Sequence, residues 1–152
     1  MTMLTALKIS SSAMTAQMTR LNTTASNLAN MDVVGSTPDG AYKAKRPIFK
    51  TMIENYTNNN FEASVKVNGI HVSDRPNAKS YDPSNPAAND DGFVFMSNVN
   101  SIEEMVDMTN ASRTYQTNVE VMNATKKMMM STLQLCLVVM VIHIQKLDLM
   151  FI

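Results

Sequence analysis

The sequence predicts a mainly α-helical protein with a small β-rich middle. Its N- and C-terminal heptad helices pair as a coiled-coil-like bundle, with a β-hairpin and turns between them. All four Gly and all five Pro lie between Gly35 and Gly92, and both residue types break regular helix. At each end of the chain, by contrast, apolar residues recur at alternating spacings of three and four. We therefore divide the chain into an N-terminal helix (1–34), a Gly- and Pro-containing middle (35–97), a C-terminal helix (98–135) and an atypical apolar tail (136–152).

Length, charge and cysteine content exclude several classes of protein. The chain has 152 residues, with 13 basic and 13 acidic side chains and a formal charge of zero. This length suits one modest domain, and the neutral balance argues against a nucleic-acid groove, so we predict no nucleic-acid partner. The single Cys136 excludes an intrachain disulfide and any multi-cysteine metal site within one chain. The first twenty residues lack an apolar run followed by a small-residue cleavage site, so we expect no cleaved secretory signal.

The N-terminal helix carries a heptad stripe of about three and a half repeats. Seven of its eight positions are apolar, and the eight are Leu4, Leu7, Ser11, Met14, Met18, Leu21, Ala25 and Leu28. Thr, Ser, Asn and Gln fill most other positions, where a solvated two-stranded coiled coil usually has charges. Small neutral flanks suit contact with several neighbours at once, and the alternative is an ordinary amphipathic core helix. Because Thr and Ser are poor helix formers, this helix should need a partner to stay folded.

The middle region contains one hairpin signal. Apolar residues occupy every second position of 61–67, and Asn68-Gly69 separates this run from 70–72. Asn-Gly tolerates the positive φ angles of a type I′ turn, so we predict a hairpin with its turn at these two residues. The stretch 74–92 predicts ordered turns or a loose loop, and 93–96 predicts one further short strand.

Few residues of the middle region suggest chemistry. A calcium loop with Gly92 at its sixth position would need acidic residues at Ala87 and Asn98, so that motif fails. His71 has no Cys, His or Glu at ligand spacing, which indicates a surface histidine. The sequence contains no phosphate loop, nucleophile elbow or H-E-x-x-H motif. We therefore predict no catalytic residue, no cofactor, no metal and no enzyme activity. A short basic run predicts a solvated loop; it consists of Lys43, Lys45 and Arg46.

The helical pattern returns at Asn98. Ser101 is the predicted N-cap, with Glu103 and Glu104 in the first turn near the positive end of the helix. Seven of nine stripe positions are apolar, and the nine are Met105, Met108, Ser112, Tyr115, Val119, Met122, Lys126, Met129 and Leu133. One interpretation is a core helix that packs on the N-terminal helix. The sharper interpretation is that one stripe serves packing both within and between subunits, for which adaptable Met side chains are suited.

Several segments resemble a known family. Residues 21–30, with the sequence LNTTASNLAN, resemble the N-terminal signature of the bacterial flagellar rod and hook proteins. Segments within 97–123 resemble a proximal-rod member of that family, and 40–47 and 81–83 also fit that member. The resemblance covers most of the chain, from residue 4 to residue 135.

The resemblance implies a structural role in the proximal rod of the flagellar basal body, which crosses the periplasm. It implies export by the flagellar type III apparatus without a cleaved signal peptide. The implied partners are other copies of the chain, other rod subunits, the adaptor at the export gate and MS ring, and the distal rod protein. The terminal helices would line the inner tube, and the candidate assembly residues are Leu4, Leu7, Met14, Met18, Leu21, Asn27, Leu28, Asn30, Met105, Met108, Tyr115, Val119, Met122, Met129 and Leu133.

The tail departs from the family, whose members usually stop shortly after the segment that matches 132–135. Residues 135–142 are an uninterrupted apolar run, which is short for a spanning helix of about twenty residues. We interpret 136–152 as a non-family extension, from a shifted reading frame or a lost stop, that could extend the helix or lie against a membrane. A second hypothesis is therefore a membrane-attached helical adaptor, and a third is an enzyme. We assign no site to Cys136 or His143.

Overall fold

The computed structural model describes residues 3–54 and 62–148 of the chain. In chain order the elements are α1 (Met3–Ala29), β1 (Val34–Gly35), β2 (Lys45–Glu54), β3 (Glu62–Val72), β4 (Lys79–Tyr81), β5 (Phe93–Met96) and α2 (Ser101–Asp148). The strands form a three-stranded sheet in the order β1-β5-β4 and a two-stranded ribbon of β2 and β3, with all pairs antiparallel. The prediction of two helical ends around a small β-rich middle is confirmed.

The two helices pack against each other in opposite directions. Met3, at the start of α1, lines a groove with residues from 124–132 of α2. Thr24, near the end of α1, shares a cavity with Glu104 at the start of α2. α1 has 27 residues and α2 has 48, which correspond to roughly 40 and 72 Å of helix. α2 therefore continues well past the start of α1, and the predicted tail extends this helix as far as Asp148.

The β2–β3 ribbon packs along α1. The Ser12 hydroxyl accepts a hydrogen bond from the Val65 backbone N–H at 3.1 Å. The Arg20 guanidinium lies 4.8 Å from the centre of the Phe49 ring, within the range of a cation–π contact. α1 thus contacts α2 on one side and the ribbon on another, so a single stripe along this helix does not describe its packing.

The predicted turn at Asn68-Gly69 is wrong. Both residues lie inside β3, which pairs with β2 along its whole length. The register shifts opposite Asn68, so this residue is the extra member of a β-bulge. Gly69 does not adopt the positive φ that a type I′ turn requires. The connection between the two strands falls at 55–61, which includes Phe61 of the predicted hairpin and lies outside the described residues.

The predicted solvated loop at the basic run is also wrong in part. Lys45 and Arg46 begin β2, where strand pairing fixes their backbone. The Arg46 guanidinium forms an ion pair with Glu103 of α2 at 2.9 Å, and Lys43 forms one with Asp39 at 3.1 Å. The run therefore connects the strand to α2 instead of lying free in solvent.

The start of α2 is capped one residue earlier than predicted. The side-chain oxygen of Asn100, and not that of Ser101, accepts a hydrogen bond from the backbone N–H of Ile102 at 3.0 Å. Asn is as favourable as Ser at an N-cap, so N-cap preference alone does not distinguish the two neighbouring residues. Glu103 and Glu104 lie in the first turn, as predicted.

The predicted turns of 74–92 and the predicted strand at 93–96 are confirmed, with the short strand β4 added inside the turn region. The rings of Tyr81 and Phe93 pack edge to face with centres 5.1 Å apart. Gly92 has a φ of 78°, and a Cβ there would lie 2.9 Å from the Tyr81 ring. A glycine is therefore required at this position both by the backbone and by the space available.

Candidate assembly surface on the terminal helices

The face of α2 that packs within the subunit has small and polar residues at its buried positions. Glu104, Ala111 and Thr125 are buried, at spacings that are multiples of seven. Ala111 is 0% exposed, because small side chains let the two helix axes approach closely. These three residues lie at every second position of the stripe on α2. At each of these positions, the buried residue lies one place before the residue that the sequence predicted. Met105 is consequently turned outward and is 54% exposed.

The buried residues of α1 are also small and polar. Ala16, Thr23 and Thr24 are buried, and Thr24 lines a cavity with Glu104 of α2. The Thr23 hydroxyl donates to the Thr19 carbonyl at 2.7 Å, and the Thr125 hydroxyl of α2 donates to a carbonyl of its own helix at 2.8 Å. Because each hydroxyl is satisfied within its own helix, it can be buried without a partner across the contact. The fully buried positions of the two helices are therefore small or polar, whereas larger apolar residues such as Leu21 and Val119 are half-buried.

The heptad stripe of α1 divides into two rows. One row is half-buried and consists of Leu7, Met14, Leu21 and Leu28. The other row is exposed and consists of Leu4, Ser11, Met18 and Ala25. We call the exposed four the outer row. Leu4 is 67% exposed and Met18 is 47% exposed. The outer row is thus the more exposed part of the predicted stripe, and its members Ser11 and Met18 line a groove with Tyr115 of α2.

The remaining predicted assembly residues are distributed over both environments. Met105 and Leu133 are exposed, and Asn27 is buried. Ile102 and Val106, which the sequence analysis did not select, are also exposed; their position in the first turns of α2 beside Met105 is the signal that could have found them. Half-buried residues are Asn30, Met108, Tyr115, Val119, Met122 and Met129.

Asn27 is an internal anchor of the subunit. Its side chain is 0% exposed. Its Oδ1 accepts hydrogen bonds from the Lys45 N–H at 2.9 Å and from the Tyr42 hydroxyl at 3.1 Å. Its Nδ2 donates to the Lys45 carbonyl at 2.8 Å. Every one of these bonds is made within the chain, so Asn27 is not available to a neighbouring subunit in this fold.

Two further asparagine amides hold the same segment. The Asn98 Oδ1 accepts a hydrogen bond from the Ala44 N–H at 2.6 Å. The Asn77 Nδ2 donates to the Tyr42 carbonyl at 3.1 Å. We call Asn27, Asn77 and Asn98 the asparagine junction. It joins the end of α1, the start of β2 and the residues before α2, and thereby fixes where both helices leave the sheet region.

A charged cluster surrounds the start of α2. The Glu103 carboxylate accepts hydrogen bonds from Arg46 at 2.9 Å and from Arg75 at 3.2 Å. Such half-exposed pairs contribute only about 0–1 kcal/mol each. Buried Glu104 lines an adjacent cavity of about 220 Å³ together with Arg20. Within residues 3–54 and 62–148, no three His, Cys, Asp or Glu side chains are grouped so that they could hold a metal ion.

Two long terminal helices with small buried residues and large exposed apolar ones define a structural assembly protein. Residues 7–36 match the family described as Flagella basal body rod protein, and residues 90–135 match the Flagellar basal body rod FlgEFG protein C-terminal family. Curated relatives named Flagellar basal-body rod protein FlgC are 45% identical in Escherichia coli O6:H1 and 43% identical in Salmonella typhimurium, each match covering 89% of this chain and 98% of the relative. The Bacillus subtilis protein of the same name is 35% identical, with 89% and 99% covered.

The chain belongs to the FlgC family of flagellar basal-body rod proteins. It is a structural subunit of the basal-body rod and not an enzyme, as the resemblance implied. The comparisons do not support the hypothesis of a membrane-attached adaptor. The C-terminal family match ends at residue 135, so α2 continues beyond the matched segment.

Proposed function

We propose that the chain polymerises through its terminal helices as a subunit of the proximal rod, the part of the drive shaft that crosses the periplasm. The observation that supports this proposal is the distribution of residues on the helices. The fully buried positions of both helices are small or polar, while Leu4 and Met18 of the outer row are exposed. Covering such side chains by a neighbour gains about 25 cal/mol per Å² of apolar surface. Residues 1–34 and 98–135 are the assembly core in this proposal, and 35–97 lie outside it.

The proposed contact is a coiled-coil-like bundle formed by the helices of adjoining subunits. Leu21 and Val119 are already half-covered within the subunit, and neighbouring helices would complete their burial. The neutral Thr and Ser flanks of α1 allow more than one neighbour to approach without burying charge. Subunits that meet through two different faces generate an open helix where the rotation between them does not close into a ring, and an open helix is the geometry of a shaft.

The proposed route to the rod is the flagellar type III export apparatus, without a cleaved signal peptide. The apolar core is small: among the described residues, its buried members are Ala16, Ala41, Ala44, Val94 and Ala111. A subunit with so little apolar burial is easily unfolded for passage through a narrow channel and gains order on assembly. The proposed partners are other copies, other rod subunits, the adaptor at the export gate and MS ring, and the distal rod protein.

Imaging of basal bodies tests this function. A strain lacking the gene is complemented with the wild type, with Met18→Asp or with the control Thr117→Asp, which adds the same charge at an exposed polar position of α2. We expect Met18→Asp to be expressed but to give no rods and no swimming, because the charge would be buried between subunits. Thr117→Asp should assemble normally. Rods of ordinary length in the Met18→Asp strain would contradict the proposal.

A further inference from the structure

The exposed apolar residues of α2 fall mainly into two groups at opposite ends of the helix. The first group, the starting patch, consists of Ile102, Met105 and Val106. The second, the distal segment, is 133–142, in which Leu, Val, Met and Ile predominate. The exposed positions between the groups are mostly polar or charged, and include Thr109, Arg113, Gln116 and Glu120. Apolar surface at both ends of one helix suits contact between subunits placed end to end.

The distal segment extends beyond the helix pair. Met3 lies beside 124–132, so α2 from Leu133 to Asp148 continues past α1 for about 16 residues, or roughly 24 Å. The six consecutive apolar residues from Leu137 to Ile142 are each 54–63% exposed. Consecutive positions point in all directions around a helix, so this segment is apolar on every side. Among the described residues, no other run of consecutive large apolar side chains with this exposure is as long.

The starting patch has the composition of an interface. Two of its side chains, Ile102 and Val106, line a groove with the ion-paired Arg46, Arg75 and Glu103. An apolar centre with a charged rim is typical of surfaces that bind another protein. The distal segment has no Asp, Glu, Lys or Arg, so it can cover the centre of the patch without burying a charge.

We propose that the distal segment of one copy packs on the starting patch of a second copy, so that the α2 helices of successive copies overlap head to tail. This inference rests on the proposed function, because it specifies one contact of the polymer. An overhang of roughly 24 Å is long enough to span the patch, which occupies about the first turn and a half of α2. A contact between two different faces leaves each copy with one free face for the next copy, so it repeats as long as the rotation does not close a ring. The family match ends at residue 135, so most of this contact belongs to the part of α2 beyond it.

The only cysteine of the chain makes the contact measurable. Cys136 is exposed and lies in the distal segment. The purified full-length variant Ile102→Cys carries one thiol at each end of α2 and is treated with a short bifunctional thiol cross-linker. The head-to-tail contact predicts a ladder of dimers, trimers and longer chains on a denaturing gel. The matched control Thr117→Cys should give about tenfold less of the ladder, because its thiol is not held near Cys136 of a neighbour.

A second variant separates this contact from unspecific aggregation. Val106→Asp in the Ile102→Cys background should abolish the ladder, because it places a charge in the starting patch and leaves the apolar distal segment, through which the chain would aggregate, unchanged. Equal ladders from Ile102→Cys and Thr117→Cys would overturn the inference. Dimers that form as readily from Cys136 alone would indicate tail-to-tail packing and would also overturn it.

A third experiment tests whether the distal segment binds a lipid bilayer in place of a second copy of the chain. By length and composition α2 is also apolar enough to cross a membrane between Ser101 and His143. Co-sedimentation of the wild type with phosphatidylcholine–phosphatidylglycerol vesicles, together with the absence of a ladder, would overturn the inference. In all these outcomes the proposed function is judged separately, by whether Met18→Asp abolishes rods.

Discussion

The side-chain amide of Asn27 binds the backbone of Lys45 as a neighbouring β-strand would. Its oxygen accepts from the Lys45 N–H at 2.9 Å, and its nitrogen donates to the Lys45 carbonyl at 2.8 Å. A single residue thus joins the end of α1 to the start of β2. Because Asn27 is fully buried, loss of its amide would leave both backbone groups of Lys45 without these partners.

Replacement of this amide should destabilise the subunit. We predict that Asn27→Ala lowers the free energy of unfolding by about 3 kcal/mol, since several buried hydrogen bonds are lost together. Urea denaturation followed by circular dichroism measures the change. Asn22→Ala, at an exposed position of the same helix, is the matched control and should change stability by no more than about 0.5 kcal/mol. Equal stability of the two variants would show that the amide is not an anchor.

A larger residue in the helix contact should force the helices apart. Ala111 is fully buried between them, and we predict that Ala111→Leu costs about 1–3 kcal/mol through overpacking. Thr117→Leu places the same side chain at an exposed position of the same helix and should be nearly neutral. Thermal melts of both variants measure the difference. An unchanged melting temperature for Ala111→Leu would mean that the contact tolerates large residues.

Two glycines should respond oppositely to alanine. Gly92→Ala should destabilise the fold by about 1–2 kcal/mol, because φ is positive there. Gly69→Ala should be neutral or slightly stabilising, since nothing lies within 4 Å of the added Cβ and the position is an ordinary strand residue. Chemical denaturation of both variants tests this pair. A large loss of stability in Gly69→Ala would contradict this account, because it would indicate that Gly69 has the positive φ of a type I′ turn.

The turn at Asp82 should depend on pH. The Ser84 hydroxyl donates to the Asp82 carboxylate at 2.7 Å, and this bond lowers the pKa of Asp82 below its ordinary value of 3.8. A carboxyl group whose pKa is lower in the folded state stabilises that state at pH values above its unfolded-state pKa. This contribution is lost as the pH falls through the folded-state pKa. We expect Ser84→Ala to raise the midpoint of the Asp82 titration, as measured by NMR of the carboxyl carbon. Identical midpoints would contradict this assignment.

Both helices were predictable from the sequence, because Gly and Pro are confined to the middle and the heptads are long. The sequence did not show which residues of α2 fill every second position of its contact with α1. A periodicity argument favours large apolar residues such as Met105, whereas close packing of two helices selects Ala111 and Thr125. The small residues carry no hydrophobic signal, so their burial becomes visible only in the folded chain.

The β-rich region shows a different limit. Asn68-Gly69 suits a tight turn and a β-bulge equally well, since both tolerate unusual backbone geometry. The choice between them depends on pairing with β2, which begins in a segment whose charge suggested a loop. The asparagine junction was likewise out of reach, because Asn77 and Asn98 act through contacts with residues distant in sequence.

Methionine oxidation of the outer row tests the central claim most directly. Met18 is 47% exposed in the subunit, and hydrogen peroxide converts accessible methionine to its sulfoxide. Mass spectrometry compares Met18 in the free subunit with Met18 in isolated basal bodies. If neighbouring helices cover the outer row, Met18 is oxidised in the free subunit and protected in the rod. Equal oxidation in both states would show that this face of α1 remains open to solvent after assembly.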